Sequence, residues 1–426
     1  MSRILAVLAG CSLVVGLLTS PPVGAAPGTL SASRTAASQF PDPGAGSYFP
    51  VRGNPVRVLD TRSGLGGRLG AVAPRHTVTA PVRRAGTPAA VIKVTVPGNA
   101  PAGSLSVYPS GSVWNGHVTM SLVGGSTISQ QLTVKLGANG GVTIRNNSAT
   151  AVHLIVEVLG DYKPGTPTRS GTFAALDSRI LDTRATSPLL PGRRITLAMP
   201  GRGGIPAGGA SAVVLNIAVL SARATGLLSV TTGDGRQATL HMRFLGNRTA
   251  PQPMQTQRVV KVNSDGKLTF SQSSTAGVHL VIDLMGYYLP GSDSPDFQVV
   301  EGHYVAVSPT PIKAMLGTRS GTQLRLFQQQ PLPLYLGVTD ELTLAYNIVL
   351  SPDQPGQPTL LGLYNPHSPW SRTVTLSSTP ARQPTELTIN KRVEDTVELV
   401  NLSGAQETYL HGYVTGYYWF LTCVYC

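Results

Sequence analysis

The sequence predicts an all-β protein: three tandem antiparallel β-sandwich domains, Ig-like or jelly-roll-like, behind an export signal and a flexible leader. Three observations carry this expectation. Short β-branched and aromatic runs are bounded throughout by glycine and proline, 47 and 34 of 426 residues. No window sustains the 3.6-residue apolar period of a helix. One string recurs, as VRVLDTR at 56–62, SRILDTR at 178–184 and, damaged, KAMLGTR at 313–319. Asp60 and Asp182 are 122 residues apart and Gly317 fills the same place 135 further on, so the periods are of domain size and too long for a solenoid. Each copy also closes alike, on Gly160-Asp161-Tyr162, Gly286-Tyr287-Tyr288 and Gly416-Tyr417-Tyr418.

Taken in order, residues 1–26 read as a signal peptide. Arg3 supplies a basic start, Ile4 to Leu18 is apolar, and the small residues before Ala25 and Ala26 suit cleavage after either one. The alternative is a lipid anchor, because Leu8-Ala9-Gly10-Cys11 has the shape of a lipoprotein box. The expected location is therefore secreted or cell-surface, with no transmembrane segment in the mature chain, since no later run approaches ~18 apolar residues. Residues 27–47 form a leader of Ser, Ala, Pro and Gly with little to bury. The three domains then span 48–164, 171–290 and 296–426, the third a degenerate copy with an apolar, cysteine-containing tail.

Within the copies, Val91 to Val96, Val213 to Ile217 and Leu342 to Ile348 read as strands. Leu132 to Leu136 and Val142 to Ile144, joined through Asn139-Gly140, read as a hairpin. The second copy repeats that pattern around Asp265-Gly266.

The recurring string carries charge. Strand alternation places Val58, Asp60 and Arg62 on one face, with Arg57, Leu59 and Thr61 on the other. An acid also recurs three residues before the closing glycine, as Glu157 and Asp283. Asp60, Arg62 and Glu157, and likewise Asp182, Arg184 and Asp283, are expected to form a partly buried ion-pair network tying the first strand of each copy to its last. Asp182→Ala should then cost about 3–5 kcal/mol. The third copy has lost both acids and keeps Arg319.

Catalytic readings are weak. Two copies of hydrophobic-hydrophobic-Asp-Thr resemble the motif of bilobal aspartic proteases, but Arg62 and Arg184 stand where that family has glycine. A guanidinium there holds both carboxylates ionised and denies the shared proton. His153 and His279 fill equivalent slots, taken by Tyr409 in the third copy, which fits packing better than ligation. No His/Cys set has metal-ligand spacing, no Gly-x-Ser-x-Gly joins a strand to a helix, and Gly201 to Gly204 lack a phosphate-binding Lys-Ser or Lys-Thr. The expectation is no enzyme, no cofactor and no metal. The formal charge of +13 is scattered, Arg83-Arg84 and Arg193-Arg194 being the densest pairs, so no specific nucleic-acid partner is expected. Cys423 and Cys426 read as a local disulfide or a reactive tail.

One loop pattern suggests binding. Tyr108, Trp114, Asn115 and His117 in the first copy, and Tyr364, His367 and Trp370 in the third, place an aromatic pair six residues apart in Pro/Gly-rich sequence. Exposed, such a pair stacks on a sugar ring while the polar neighbours bond its hydroxyls; the alternative is that each Trp closes the end of its own core or packs against the neighbouring copy.

Arg57-Val-Leu-Asp-Thr-Arg62 and Arg179-Ile-Leu-Asp-Thr-Arg184, each followed about a hundred residues later by the acid and the glycine–tyrosine ending, resemble a repeat module of secreted actinobacterial proteins. In that family the module occurs alone, in tandem or attached to exported wall-lytic and other hydrolytic enzymes, and its role is uncharacterised. The third copy departs from the pattern at Gly317 and Tyr413. Together the residues and the resemblance lead to the expectation of a non-catalytic secreted or cell-surface protein binding cell-wall or extracellular polysaccharide. The alternatives are a structural or adhesive protein binding other proteins or itself, and, third, a hydrolase with an acid-based site.

Overall fold

The computed structural model describes residues 45–426 apart from 84, 123, 126, 165–169, 233–237, 250–252, 291–300, 315–322, 329, 337–342, 353–358, 365–371, 377–384, 391–396, 403–406 and 421–426. The signal peptide, Cys11, nearly all of the leader, Gly317, Arg319, His367, Trp370, Cys423 and Cys426 lie outside the described residues.

The described chain is built of strands. Repeat 1 comprises β1 (Ala45–Pro50), β2 (Val56–Asp60), β3 (Thr77–Ala80), β4 (Ala89–Val96), β5 (Gly103–Pro109), β6 (Met120–Leu122), β7 (Ile128–Lys135), β8 (Val142–Asn146) and β9 (Ile155–Pro164). Repeat 2 comprises β10 (Phe173–Asp182), β11 (Arg194–Ala198), β12 (Ala212–Leu220), β13 (Gly226–Thr232), β14 (Ala238–Phe244), β15 (Met254–Lys261), β16 (Lys267–Gln272) and β17 (His279–Tyr288). Repeat 3 comprises β18 (Glu301–Pro311), β19 (Lys313–Ala314), β20 (Gln323–Phe327), β21 (Pro331–Tyr335), β22 (Thr343–Pro352), β23 (Thr359–Tyr364), β24 (Arg372–Leu376), β25 (Thr385–Asn390), β26 (Glu398–Asn401) and β27 (Glu407–Phe420). β1 begins at Ala45, three residues inside the segment expected to be leader.

The strand order decides between the two sandwich types. In repeat 2 the inner sheet runs β15-β12-β17-β10 and the outer sheet β11-β16-β13-β14. This is the eight-stranded jelly roll, in which consecutive strands keep changing sheets. Repeat 1 repeats it, with β7-β4-β9 and both β1 and β2 inside, and β3-β8-β5-β6 outside. The same order explains why the expected hairpins are absent. β7 and β8 flank the Asn139-Gly140 turn but belong to different sheets, as do β15 and β16 around Asp265-Gly266. A turn sequence fixes the local reversal; the side chains on either side are buried by facing sheets, so the chain crosses the core instead of folding back on its neighbour.

Each repeat has its own apolar core, and the inner sheets are buried on both faces. β12 is buried at Ala212 through Ile217 without alternation, which is how its unbroken run Ala-Val-Val-Leu-Asn-Ile reads in sequence. The second face meets the other repeats. β18 pairs with both β1 (Gly46 opposite Tyr304) and β10 (Phe173 opposite Gly302), and Tyr48 N donates to Gly171 O at 2.8 Å. The three inner sheets thereby merge into one 14-stranded sheet.

Candidate functional site

The recurring string forms a corner at the end of the first strand. Asp60 Oδ1 accepts from Arg62 N at 3.1 Å and Arg62 Nε at 3.0 Å, and Oδ2 accepts from Arg62 Nη2 at 2.8 Å. Asp182 repeats the set with Arg184, where a short 3-10 turn (Thr183–Ala185) begins. The arginine bonds hold both carboxyls down at about 2, below their ordinary value. The buried threonine reaches across to the last strand. Thr61 Oγ1 accepts from Leu154 N at 3.0 Å and pairs with His153 Nδ1 at 3.1 Å; Thr183 does the same with Leu280 N at 2.8 Å and His279 at 3.2 Å.

The ion-pair link to the last strand runs through a different arginine from the one that alternation selects. Arg57 contacts both Asp60 (3.1 Å) and Glu157 (3.3 Å), and Arg179 contacts both Asp182 (3.4 Å) and Asp283 (2.8 Å). A register shift between Arg57 and Leu59, matched between Arg179 and Leu181, breaks the period-2 alternation. Such a bulge turns residues i and i+3 to one side. In repeat 3 the place of that arginine, opposite Tyr413, is held by Pro311 of β18, and a different pair joins β20 to β27: Arg325 meets Glu407 at 2.5 Å, with Tyr409 Oη donating to Glu407 Oε2 at 2.7 Å.

The closing glycine is a seat for an aromatic ring. A Cβ added at Gly160, Gly286 or Gly416 would collide with the ring of Tyr48, Phe173 or Tyr304, the first-strand aromatic of the same repeat. The tyrosine two residues on points to the common centre of the three repeats. Tyr162 Oη and Tyr288 Oη are 2.8 Å apart, Tyr288 and Tyr418 2.5 Å, and Tyr162 and Tyr418 3.4 Å. The six rings, with Ala89, Ala212 and Ala345, make a fourth core that belongs to no single repeat.

The aromatic loop of repeat 1 lies folded over its own outer sheet. Trp114 is half-buried; its Nε1 donates to His117 O at 3.1 Å and the Arg145 guanidinium sits 4.5 Å from its ring centre. Tyr108 and His117 are buried, a correction to their expected place on a binding loop. His117 pairs with Val107 O at 3.0 Å and Asn115 Oδ1 at 2.5 Å, and its ring meets Tyr108 and, across the boundary with repeat 3, Tyr413. Desolvation pushes the His117 imidazole below its ordinary pKa. Asn115 is exposed and donates to Pro309 O of repeat 3 at 2.8 Å. Of the repeat 3 candidates, Tyr364 ends β23, opposite Glu398; its side chain, like His367 and Trp370, is outside the description.

Tyr413 stands where repeats 1 and 2 have Glu157 and Asp283. Its buried phenol lines a narrow cleft between repeats 1 and 3, about 460 Å³ including its open mouth, with Tyr108, His117, Lys135, Glu386 and Thr415. Both Glu386 oxygens accept from Thr133 N at 3.1 Å. Burial pushes the Glu386 carboxyl up to about 7 against the opposing bonds from Thr133 and the charge of Arg258. Sequence reasoning missed Glu386, and a signal existed: Gln131 and Gln257 each stand 29 residues before their closing glycines, and Glu386 stands 30 before its own. Among the described residues no three His, Cys, Asp or Glu side chains gather as a metal site, and no helix is long and apolar enough to cross a membrane.

No protein-family model matches the chain, and no curated protein matches it. Solved structures similar to it include one described as the triple jelly roll fold and turret assembly of an archaeal virus, at 12% identity, covering 88% of this chain and 90% of that one, TM-score 0.17. The N-terminal CBM22-1-CBM22-2 tandem domain of Paenibacillus barcinonensis Xyn10C matches at 9% identity over 57% of this chain and 93% of that one, TM-score 0.17. A structure of Sulfolobus turreted icosahedral virus matches at 12% identity, 88% and 90% coverage, TM-score 0.18.

Proposed function

We propose that this chain is an exported, non-catalytic binding protein of the cell surface that engages a cell-wall or extracellular polysaccharide through several weak contacts held at fixed spacing. The shared 14-stranded sheet carries the reading. Repeats locked around one core present their outer sheets and loops without freedom to reorient, so contacts to a repetitive polymer add with little further ordering cost. Two surfaces have the chemistry. In repeat 1, half-exposed Trp114 with Arg145 on its ring is edged by exposed Ser112 and Asn115. In repeat 2 the outer sheet offers paired Thr196 and Thr269 hydroxyls, 2.9 Å apart, flanked by exposed Arg194 and Lys267. Asp60 and Asp182, each held ionised by its own arginine, supply neither a proton nor a free nucleophile, which weighs against acid-based hydrolysis.

Co-sedimentation of residues 27–426 with insoluble cell-wall preparations, at low and high salt, tests the reading. Salt-resistant pelleting is expected, reduced several-fold by Trp114→Ala or by Thr196→Ala with Thr269→Ala in variants whose melting curves match the parent. Absence of pelleting, or pelleting that salt abolishes, leaves only diffuse basic charge and overturns it. A structural or adhesive role is favoured by one observation, the exposed apolar loop residues Val113 (92%) and Leu69 (73%). Concentration-dependent assembly in sedimentation velocity, without glycan retention, would select that role.

A further inference from the structure

Three equivalent edge strands, β7, β15 and β25, pass one contact around the molecule. Lys93, Asn216 and Val349 stand opposite Glu157, Asp283 and Tyr413, and on their other side opposite Gln131, Gln257 and Glu386. Each of these last three side chains reaches the backbone of the next repeat's edge strand: Gln131 to Val259, Gln257 to Thr388 and Glu386 to Thr133. The residues reached are themselves equivalent, each two positions beyond the reaching residue of its own strand.

Gln131 makes the complete contact. Its Oε1 accepts from Val259 N at 2.9 Å and its Nε2 donates to Val259 O at 2.8 Å. Gln257 makes the accepting half, from Thr388 N at 2.9 Å, and its Nε2 is buried without a partner. At the third contact both Glu386 oxygens crowd on the single Thr133 N–H. An ionised carboxylate has no hydrogen to return to the strand, whereas a protonated one donates as an amide does.

We propose that Glu386 is a proton-operated latch between repeats 3 and 1: protonated, it reproduces the two-bond contact of Gln131; ionised, it keeps only the accepting half and loosens the strand pair beside the cleft. The groups around it set the balance. Arg258 of β15 favours the ionised form, and Lys135 lies along the same cleft. Tyr304, Tyr413 and Tyr418 are held neutral by burial, Tyr108 is buried, and His117 is disfavoured in its charged form. Desolvation outweighs the guanidinium, so the latch is fully closed below the ordinary carboxyl value of 4.5 and opens as pH rises through about 7. His117 works in the opposite sense, charging on the acid side, so the difference between variants isolates Glu386.

Hydrogen exchange of the full chain over residues 131–135, corrected for the intrinsic pH effect, tests this in wild type and Glu386→Gln. The two should match at about pH 4, and the wild type should exchange faster as pH rises, by up to roughly a hundredfold at about pH 8. Gln131→Glu should transfer the same dependence to residues 257–261, and it decides the matter if Glu386→Gln does not fold. Identical pH profiles of wild type and Glu386→Gln, or pH-independent exchange over 257–261 in Gln131→Glu, would overturn the latch.

Discussion

Asp60 and Asp182 occupy equivalent corners with equivalent arginines, yet their side chains are 5% and 23% exposed. Solvent screening weakens the second, so Asp60→Ala is expected to cost about 2–3 kcal/mol and Asp182→Ala about 1 kcal/mol, below the 3–5 kcal/mol of a buried pair. Urea midpoints at neutral pH check the ranking. Because both carboxyls are lowered to about 2, their contribution is complete above the ordinary 3.8 and is lost as pH falls through about 2; near pH 2 the variants should approach the parent. The membership of this network was legible, since the string supplies the acids and arginines. Its wiring was not, because the bulge that brings Arg57 to Asp60 and Glu157 arises from pairing with β9, a strand about a hundred residues away.

At the scale of the element, the closing strand of each repeat is shaped by what its glycine must admit. Gly286→Ala is expected to displace the Phe173 ring and cost about 2–3 kcal/mol, the usual penalty of forcing a methyl into a packed site. A lowered melting temperature with loss of near-ultraviolet tyrosine ellipticity would register it, and an unchanged spectrum would contradict it. Strand positions were readable from β-branched runs and their Pro/Gly boundaries. Their assignment to sheets was not: β7, the Asn139-Gly140 turn and β8 carry every mark of a hairpin, and only the competition between the two faces of the core sends β8 to the other sheet.

Across the whole molecule, the three cores of the repeats share a fourth that includes Tyr48, Tyr162, Phe173, Tyr288, Tyr304 and Tyr418. Scanning calorimetry is therefore expected to show one cooperative transition, lowered as a unit by Tyr288→Ala; three resolved transitions would contradict the shared core. The same arrangement accounts for the degeneracy of repeat 3. Tyr413 does not take the ion-pair role of Glu157 and Asp283; it packs on His117 of repeat 1, and the Arg325–Glu407 pair ties β20 to the last strand.

From the sequence alone came the all-β class, the three recurring strings, and the acids and arginines of the first two corners, because strand periodicity and local charge are written in neighbouring residues. The tertiary structure alone decided the jelly-roll order, the fusion of three inner sheets, the burial of Tyr108 and His117, and the ring of contacts in which a glutamate replaces a glutamine. Those depend on which faces meet across hundreds of residues, and the free energy of that choice resides in desolvated aromatic rings and buried hydrogen bonds rather than in any local propensity.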